Sequence, residues 1–289
     1  MCAAKPNATN RIGIVAGGGG VVDELLQVLE SKSQAYSVAA ITDETDAKLK
    51  ANTITYFKWG EIGRIISYFH DQGCKELILI GRINKRPDFQ SIIGDPGTIK
   101  LIPQIIKAMS GGDDSLLQKV MKLIEAQGFK VIGIQDIASE LLLGEGLYGY
   151  KKQPMHFLQD VEKGKDALKD LGKHDIGQAL VIYNGRILAV EGAEGTDTMM
   201  RRIKSLRQEK RITGKKSTGL LLKAAKPNQD LRVDLPTIGP DTIELAAAAG
   251  LSGIVFEAGR VLVADQKETI KLAKRHKIFL SGEGGFRDE

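Results

Sequence analysis

The chain has little of what marks several common chemistries. Its two cysteines, Cys2 and Cys74, are too few and too badly spaced for a disulfide framework or a thiolate zinc site, and a reducing compartment is expected. Of the four histidines, His70, His174 and His276 have no partner at ligand spacing and His156 reads as incidental, so no histidine-based metal centre is expected. Aromatic residues make up 5% of the chain, and no basic run is interleaved with them, which argues against a dedicated nucleic-acid binder. No apolar run approaches the ~18 residues of a membrane span. Residues 1–10 are polar with no apolar core, so no signal peptide is expected, and the protein reads as cytosolic, resting on a membrane at most. G-x-S-x-G is absent, which leaves nucleophilic acyl chemistry without a foundation.

What is present is an ordinary globular composition, 42% hydrophobic and 27% charged, over 289 residues, a length that favours two domains. The net charge of +5 suits an anionic partner, whether phosphate, nucleotide or anionic lipid surface, without choosing among them.

Arg11–Ala16 reads as a strand, Gly17, Gly18, Gly19 and Gly20 as a turn, and Val21–Leu29 as a helix through Val22, Leu25, Leu26 and Leu29. Strand, glycine turn and helix can aim backbone N–H groups at an anion. The dinucleotide fingerprint G-x-G-x-x-G fails, because its third glycine would be Val22. Strands at Tyr36–Ile41, Ile54–Phe57 and Leu77–Ile80 alternate with helices, and Phe129–Ile134 reads as a further strand. The pattern predicts a parallel, doubly wound α/β sheet. After Ile80 the cations Arg82, Lys85 and Arg86 lie at a strand's carboxyl end, where such sheets bind ligands, although a solvated basic loop would look the same.

Gly144–Pro154 changes texture and is read as part of a linker. The predicted organisation is a disordered tail at 1–10, a Rossmann-like α/β domain at 11–143, a linker at 144–157 and a mixed α/β domain at 158–289. In the second domain Ala179–Tyr183 and Arg186–Val190 flank Asn184–Gly185, a strong hairpin signal. Gly253–Phe256 and Arg260–Val263 suggest a repeat of the same figure. Gly214-Lys215-Lys216-Ser217 is not a P-loop, since Glu209 stands where the first glycine is required.

The most informative stretch is Lys223–Pro240. It follows the apolar run Gly219–Leu222 and sets Lys223, Lys226 and Arg232 among Asp230 and Asp234, between Pro227 and Pro236. Prolines exclude a regular helix or central strand there. Carboxylates for a hard cation beside cations for phosphoryl oxygens are what phosphate chemistry with a divalent metal requires. A solvated polar loop is the competing reading. Glu191, Glu194 and Asp197, on a glycine-loosened loop that opens a helix, add to the candidate metal ligands.

Together A-G-G-G-G, G-R-I-N-K-R-P-D-F, G-G-D-D-S-L-L, A-V-E-G-A-E-G-T-D and above all K-P-N-Q-D-L-R-V-D-L-P-T-I-G-P resemble the LpxI-type UDP-2,3-diacylglucosamine pyrophosphatases, from about Arg11 to Leu280. The resemblance implies hydrolysis of the diphosphate of UDP-2,3-diacylglucosamine to UMP and 2,3-diacylglucosamine 1-phosphate (lipid X), in lipid A biosynthesis. It also implies Mg²⁺, with Mn²⁺ as an option, water attack on the α-phosphorus, and lipid held between a Rossmann-like domain and a carboxy-terminal α/β domain. An essential aspartate of the family maps to Asp230 or Asp234.

On this reading Asp230, Asp234, Lys223, Lys226 and Arg232 are the catalytic candidates. Asp230, Asp234, Glu191, Glu194 and Asp197 are the metal candidates, and Gly17, Gly18, Gly19, Arg82, Lys85, Arg86 and Thr196 the substrate-binding ones. The expected partners are a lipid-linked UDP-sugar and, transiently, the inner membrane surface, with no nucleic acid and a homodimer left open. A non-catalytic lipid- or nucleotide-binding protein on the same frame is the rival reading.

Overall fold

The computed structural model describes residues 10–45, 49, 54–83, 96–108, 113–150, 155–212 and 218–287. The chain divides into two compact units. Residues 1–139 together with 232–234 form the first, and residues 140–231 together with 235–289 the second.

The first unit runs β1 (Ile12–Ala16), α1 (Val21–Ser31), β2 (Tyr36–Ile41), β3 (Ile54–Phe57), α2 (Ile62–Asp71), β4 (Glu76–Ile80), α3 (Pro96–Ala108), α4 (Asp113–Glu125), β5 (Lys130–Val131) and α5 (Ile134–Ile137). Its five strands pair in the order β3-β2-β1-β4-β5, all parallel, as the alternating pattern predicts. β2 is buried along its whole length, which is why it reads as a continuous apolar run rather than an alternating one. Val22, Leu25, Leu26 and Leu29 are the buried face of α1, the residues that helical spacing selects. Phe57, Phe69, Leu77 and Phe129 form a core cluster around Cys74, with Phe69 and Phe129 edge to face at 6.4 Å. Burial pushes the Cys74 thiol up to about 11, so this cysteine is a core residue and not a nucleophile. The strand expected at Phe129–Ile134 stops at Val131, because Ile134 already opens α5 under an Asp136 carboxylate that accepts the Gly133 amide at 2.9 Å.

The second unit contains β6 (Gly146–Gly149), α6 (Leu158–Lys173), β7 (Ala179–Tyr183), β8 (Arg186–Val190), α7 (Gly195–Gln208), β9 (Leu220–Lys223), β10 (Thr237–Ile238), α8 (Pro240–Ala248), β11 (Gly253–Glu257), β12 (Leu262–Val263), α9 (Gln266–His276) and β13 (Phe279–Glu283). A six-stranded mixed sheet runs β6-β13-β11-β9-β7-β8, with β13, β11 and β9 mutually parallel. Alternate residues of its strands feed two cores. Val181, Leu221, Ile254, Phe256 and Leu280 pack with α7, α8 and α9, while Leu180, Leu220, Leu222, Val255 and Phe279 pack with α6. The hairpin at Asn184–Gly185 forms as expected, both residues at positive φ, and the buried Asp160 carboxylate accepts both of their amides.

Two expectations fail here. The stretch read as a linker, 144–157, holds β6, which pairs antiparallel with β13 and so belongs to the sheet. Glycine-rich composition signals a chain turn equally in a linker and on a sheet edge. The suggested repeat is also absent. Gly259 adopts positive φ much as Gly185 does, but β12 pairs in parallel with β10, whereas β8 returns on β7.

Candidate active site

In the first unit the strand order reverses between β1 and β4, and the glycine turn and Arg82 sit at the carboxyl ends of those two strands. That is the usual ligand edge of a doubly wound sheet. The turn is built for close backbone approach. Gly17 N–H donates to Ile80 O at 2.8 Å, Gly18 N–H to Arg82 O at 2.8 Å, and Arg82 N–H back to Gly18 O at 2.7 Å. A Cβ on Gly17 would lie 2.6 Å from Arg82 O, and one on Gly18 2.4 Å from Glu44 O. The expectation that Gly17 and Gly18 present their amides to an anion is therefore corrected: both amides are committed to neighbouring carbonyls. Gly19 has φ +98 and open space around it, so its glycine answers to backbone conformation instead. Arg82 is exposed at this edge, while Lys85 and Arg86 lie outside the described residues.

In the second unit β9 ends on Lys223, which is 8% exposed. Its ammonium donates to Thr196 Oγ1 at 2.9 Å, and the Thr196 hydroxyl donates to Glu191 Oε1 at 2.8 Å. The other Glu191 oxygen accepts the Gln178 amide at 3.0 Å. This chain of donors anchors the strand end, so buried Lys223 and Thr196 and half-buried Glu191 form a polar relay. Beyond it the backbone of the loop is held at successive residues. Ala224 N–H donates to Gln178 O at 3.0 Å, Ala225 N–H to Glu257 Oε2 at 2.9 Å, and Lys226 N–H to Gln229 Oε1 at 2.8 Å. The Lys226 ammonium pairs with Asp175. This segment is ordered by design and is not a loose solvated loop.

Asp230 closes this held segment in the second unit, whereas Arg232 and Asp234 belong to the first. Arg232 pairs with Glu125 at 3.1 Å and donates to Val131 O at 3.4 Å. The five carboxylates expected as metal ligands do not gather as one set. Glu191 is engaged by Thr196 and Gln178, Glu194 pairs with Arg202 at 3.2 Å, and Asp197 lies in the first turn of α7. Among the described residues no three His, Cys, Asp or Glu side chains form a group able to hold a metal. Nearness along the chain does not by itself make one site: Glu191 precedes α7, Glu194 stands at its N-cap and pairs with Arg202, and Asp197 lies within its first turn.

Residues 11–141 match the LpxI N-terminal domain family and residues 144–281 the LpxI C-terminal domain family. The chain belongs to the LpxI family. A protein of Caulobacter vibrioides named UDP-2,3-diacylglucosamine pyrophosphatase LpxI is 37% identical over 272 residues, 94% of this chain and 97% of that one. The LpxI C-terminal match contains Lys223, Lys226, Asp230 and Asp234 and ends short of the last residues of the chain.

Sequence reasoning missed Asp175, Gln229, Glu257 and Arg287, all of which hold the loop or its flanks. The one available signal was Glu257, a charge closing the apolar run Gly253–Phe256. A carboxylate at the end of a buried strand needs partners there.

Proposed function

We propose that this chain hydrolyses the diphosphate of UDP-2,3-diacylglucosamine, releasing UMP and 2,3-diacylglucosamine 1-phosphate, with water attacking the α-phosphorus. The observation that carries this reading is the near full-length similarity to the Caulobacter protein of that name. The rigid loop that ends on Asp230 supports it, because diphosphate hydrolysis is largely a matter of positioning and charge neutralisation. Asp230 and Asp234 are the two candidates for the carboxylate that orients the water. Arg232 and the exposed Arg82 are the candidate phosphate-binding cations. Lys223, held at the strand end through Thr196, and Lys226 are further candidates for neutralising the diphosphate.

A divalent cation fits this donor set in one way only. Among the described residues no cage of three protein ligands exists. Mg²⁺ commonly takes one or two carboxylates and fills its remaining positions with water and substrate phosphate, and the hard oxygens of Asp230 or Asp234 suit that mode. When bound, such an ion neutralises charge on the diphosphate. No helix among the described residues is long and apolar enough to cross a membrane. The lipid-linked substrate is proposed to be met by peripheral contact at the cytoplasmic face of the inner membrane.

The test is UMP release from UDP-2,3-diacylglucosamine with Mg²⁺, with a chelator, and with Asp230→Ala and Asp234→Ala. Release is expected to vanish on chelation and to fall by at least ~10²-fold in one of the variants. In ¹⁸O-water the label is expected in UMP. Folded wild-type protein that binds the substrate and releases no UMP would sink the hydrolase reading and leave a lipid-binding protein.

A further inference from the structure

Glu257 ends β11 and is 4% exposed. Its Oε2 accepts the Ala225 amide at 2.9 Å, and its Oε1 meets Arg287 Nε at 2.9 Å and Arg260 Nε at 3.2 Å. Arg287 then spends its remaining nitrogens on the loop itself, with Nη1 on Pro227 O and Nη2 on Lys226 O, both at 3.2 Å. One carboxylate and one guanidinium thereby grip an amide and two successive carbonyls across Ala225–Pro227. Gln229, 6% exposed, completes the hold, since its own amide donates to Lys226 O at 3.1 Å and its side chain accepts from Lys226 N–H. The next residue is Asp230.

The chemistry of the pair favours a positioning role over a purely stabilising one. Two guanidiniums share one buried carboxylate, and the Arg260 pKa is lowered by its burial first and by Arg287 second. Buried charge clusters compare poorly with apolar packing as a source of stability. What this one supplies is a fixed backbone path, for which a planar fork with several donors is suited and a point-charge ammonium is not. Arg287 lies beyond residue 281, where the LpxI C-terminal match ends.

We propose that Glu257 and Arg287 are positioning residues that fix the Ala225–Gln229 segment and thereby aim Asp230 at the reacting phosphate. The inference rests on the hydrolase reading above. The experiment uses the full-length protein and compares wild type, Arg287→Ala, Arg287→Lys and Glu257→Gln for kcat, KM and backbone amide exchange over residues 224–230.

In Arg287→Ala, kcat is expected to fall about 10- to 100-fold, the scale of a small misplacement of a reacting group. KM should stay within about threefold, because what is lost is alignment rather than ground-state binding. The Ala225 and Lys226 amides are expected to exchange faster. Arg287→Lys is expected to recover little of kcat, since an ammonium cannot hold Glu257 and both carbonyls in the geometry of the fork. A folded Arg287→Ala protein with wild-type kcat, or with unchanged exchange at these amides, overturns the inference. So does a loss of kcat that merely follows lost thermal stability, or one that Arg287→Lys restores in full. Wild-type protein without UMP release overturns the hydrolase reading together with this inference, whereas an active wild type beside an equally active Arg287→Ala overturns this inference alone.

Discussion

Thr196, a substrate-binding candidate in the sequence, is 9% exposed and stands between the buried Lys223 ammonium and a half-buried Glu191 carboxylate oxygen. Replacing it by valine keeps its shape and removes both hydrogen bonds, leaving Lys223 and Glu191 with unmet capacity. Thr196→Val is expected to cost about 1–3 kcal/mol, read as a lowered urea midpoint, while Thr196→Ser should stay close to wild type. Cys74 makes a pH-dependent case. Its thiol titrates higher in the folded protein than its ordinary value of 9.0, at about 11, because burial penalises the thiolate. The folded state therefore binds the proton more tightly. The resulting stabilisation is complete below the unfolded value and is lost as pH climbs through about 11. Between pH 8 and 11 the urea midpoint of the wild type should fall more steeply than that of Cys74→Ala, and parallel curves would refute this account.

At the scale of elements, the glycine turn after β1 shows how a motif and its role can separate. The strand, the turn and α1 were all legible, since a buried strand is a short apolar run and α1 repeats its apolar residues at helical spacing. The use of the turn's amides was not legible, because it depends on Arg82 and Ile80, more than sixty residues along the chain. A methyl at Gly18 would press on Glu44 O at 2.4 Å, and carbonyl backbone cannot swing aside as a side-chain tip can. Gly18→Ala is expected to destabilise the fold by about 1–3 kcal/mol, measured by thermal unfolding. An unchanged melting temperature would mean that the turn is looser than its hydrogen bonds require. β6 and β12 teach the same lesson from the other side. Each is short, and its partner, β13 or β10, is chosen by register with a distant strand. Local composition does not encode that choice.

For the whole molecule, composition and pattern determined a great deal. Alternating strands and helices required a parallel sheet in the first unit, the N-G turn required a hairpin in the second, and the apolar run before Lys223 required a buried strand. Those features rest on local propensity and on which side chains avoid water, both written residue by residue. The tertiary structure alone decided that residues 232–234 join the first unit while Asp230 stays with the second. It alone gave Glu191 and Glu194 different partners, Thr196 and Arg202, and set Arg287 on the carbonyls that precede Asp230. These outcomes depend on angles and distances between groups far apart in the chain. Hydrogen bonds and ion pairs at about 3 Å are directional and exclusive, so which donor meets which acceptor is settled only when the packed core fixes the backbone that carries them.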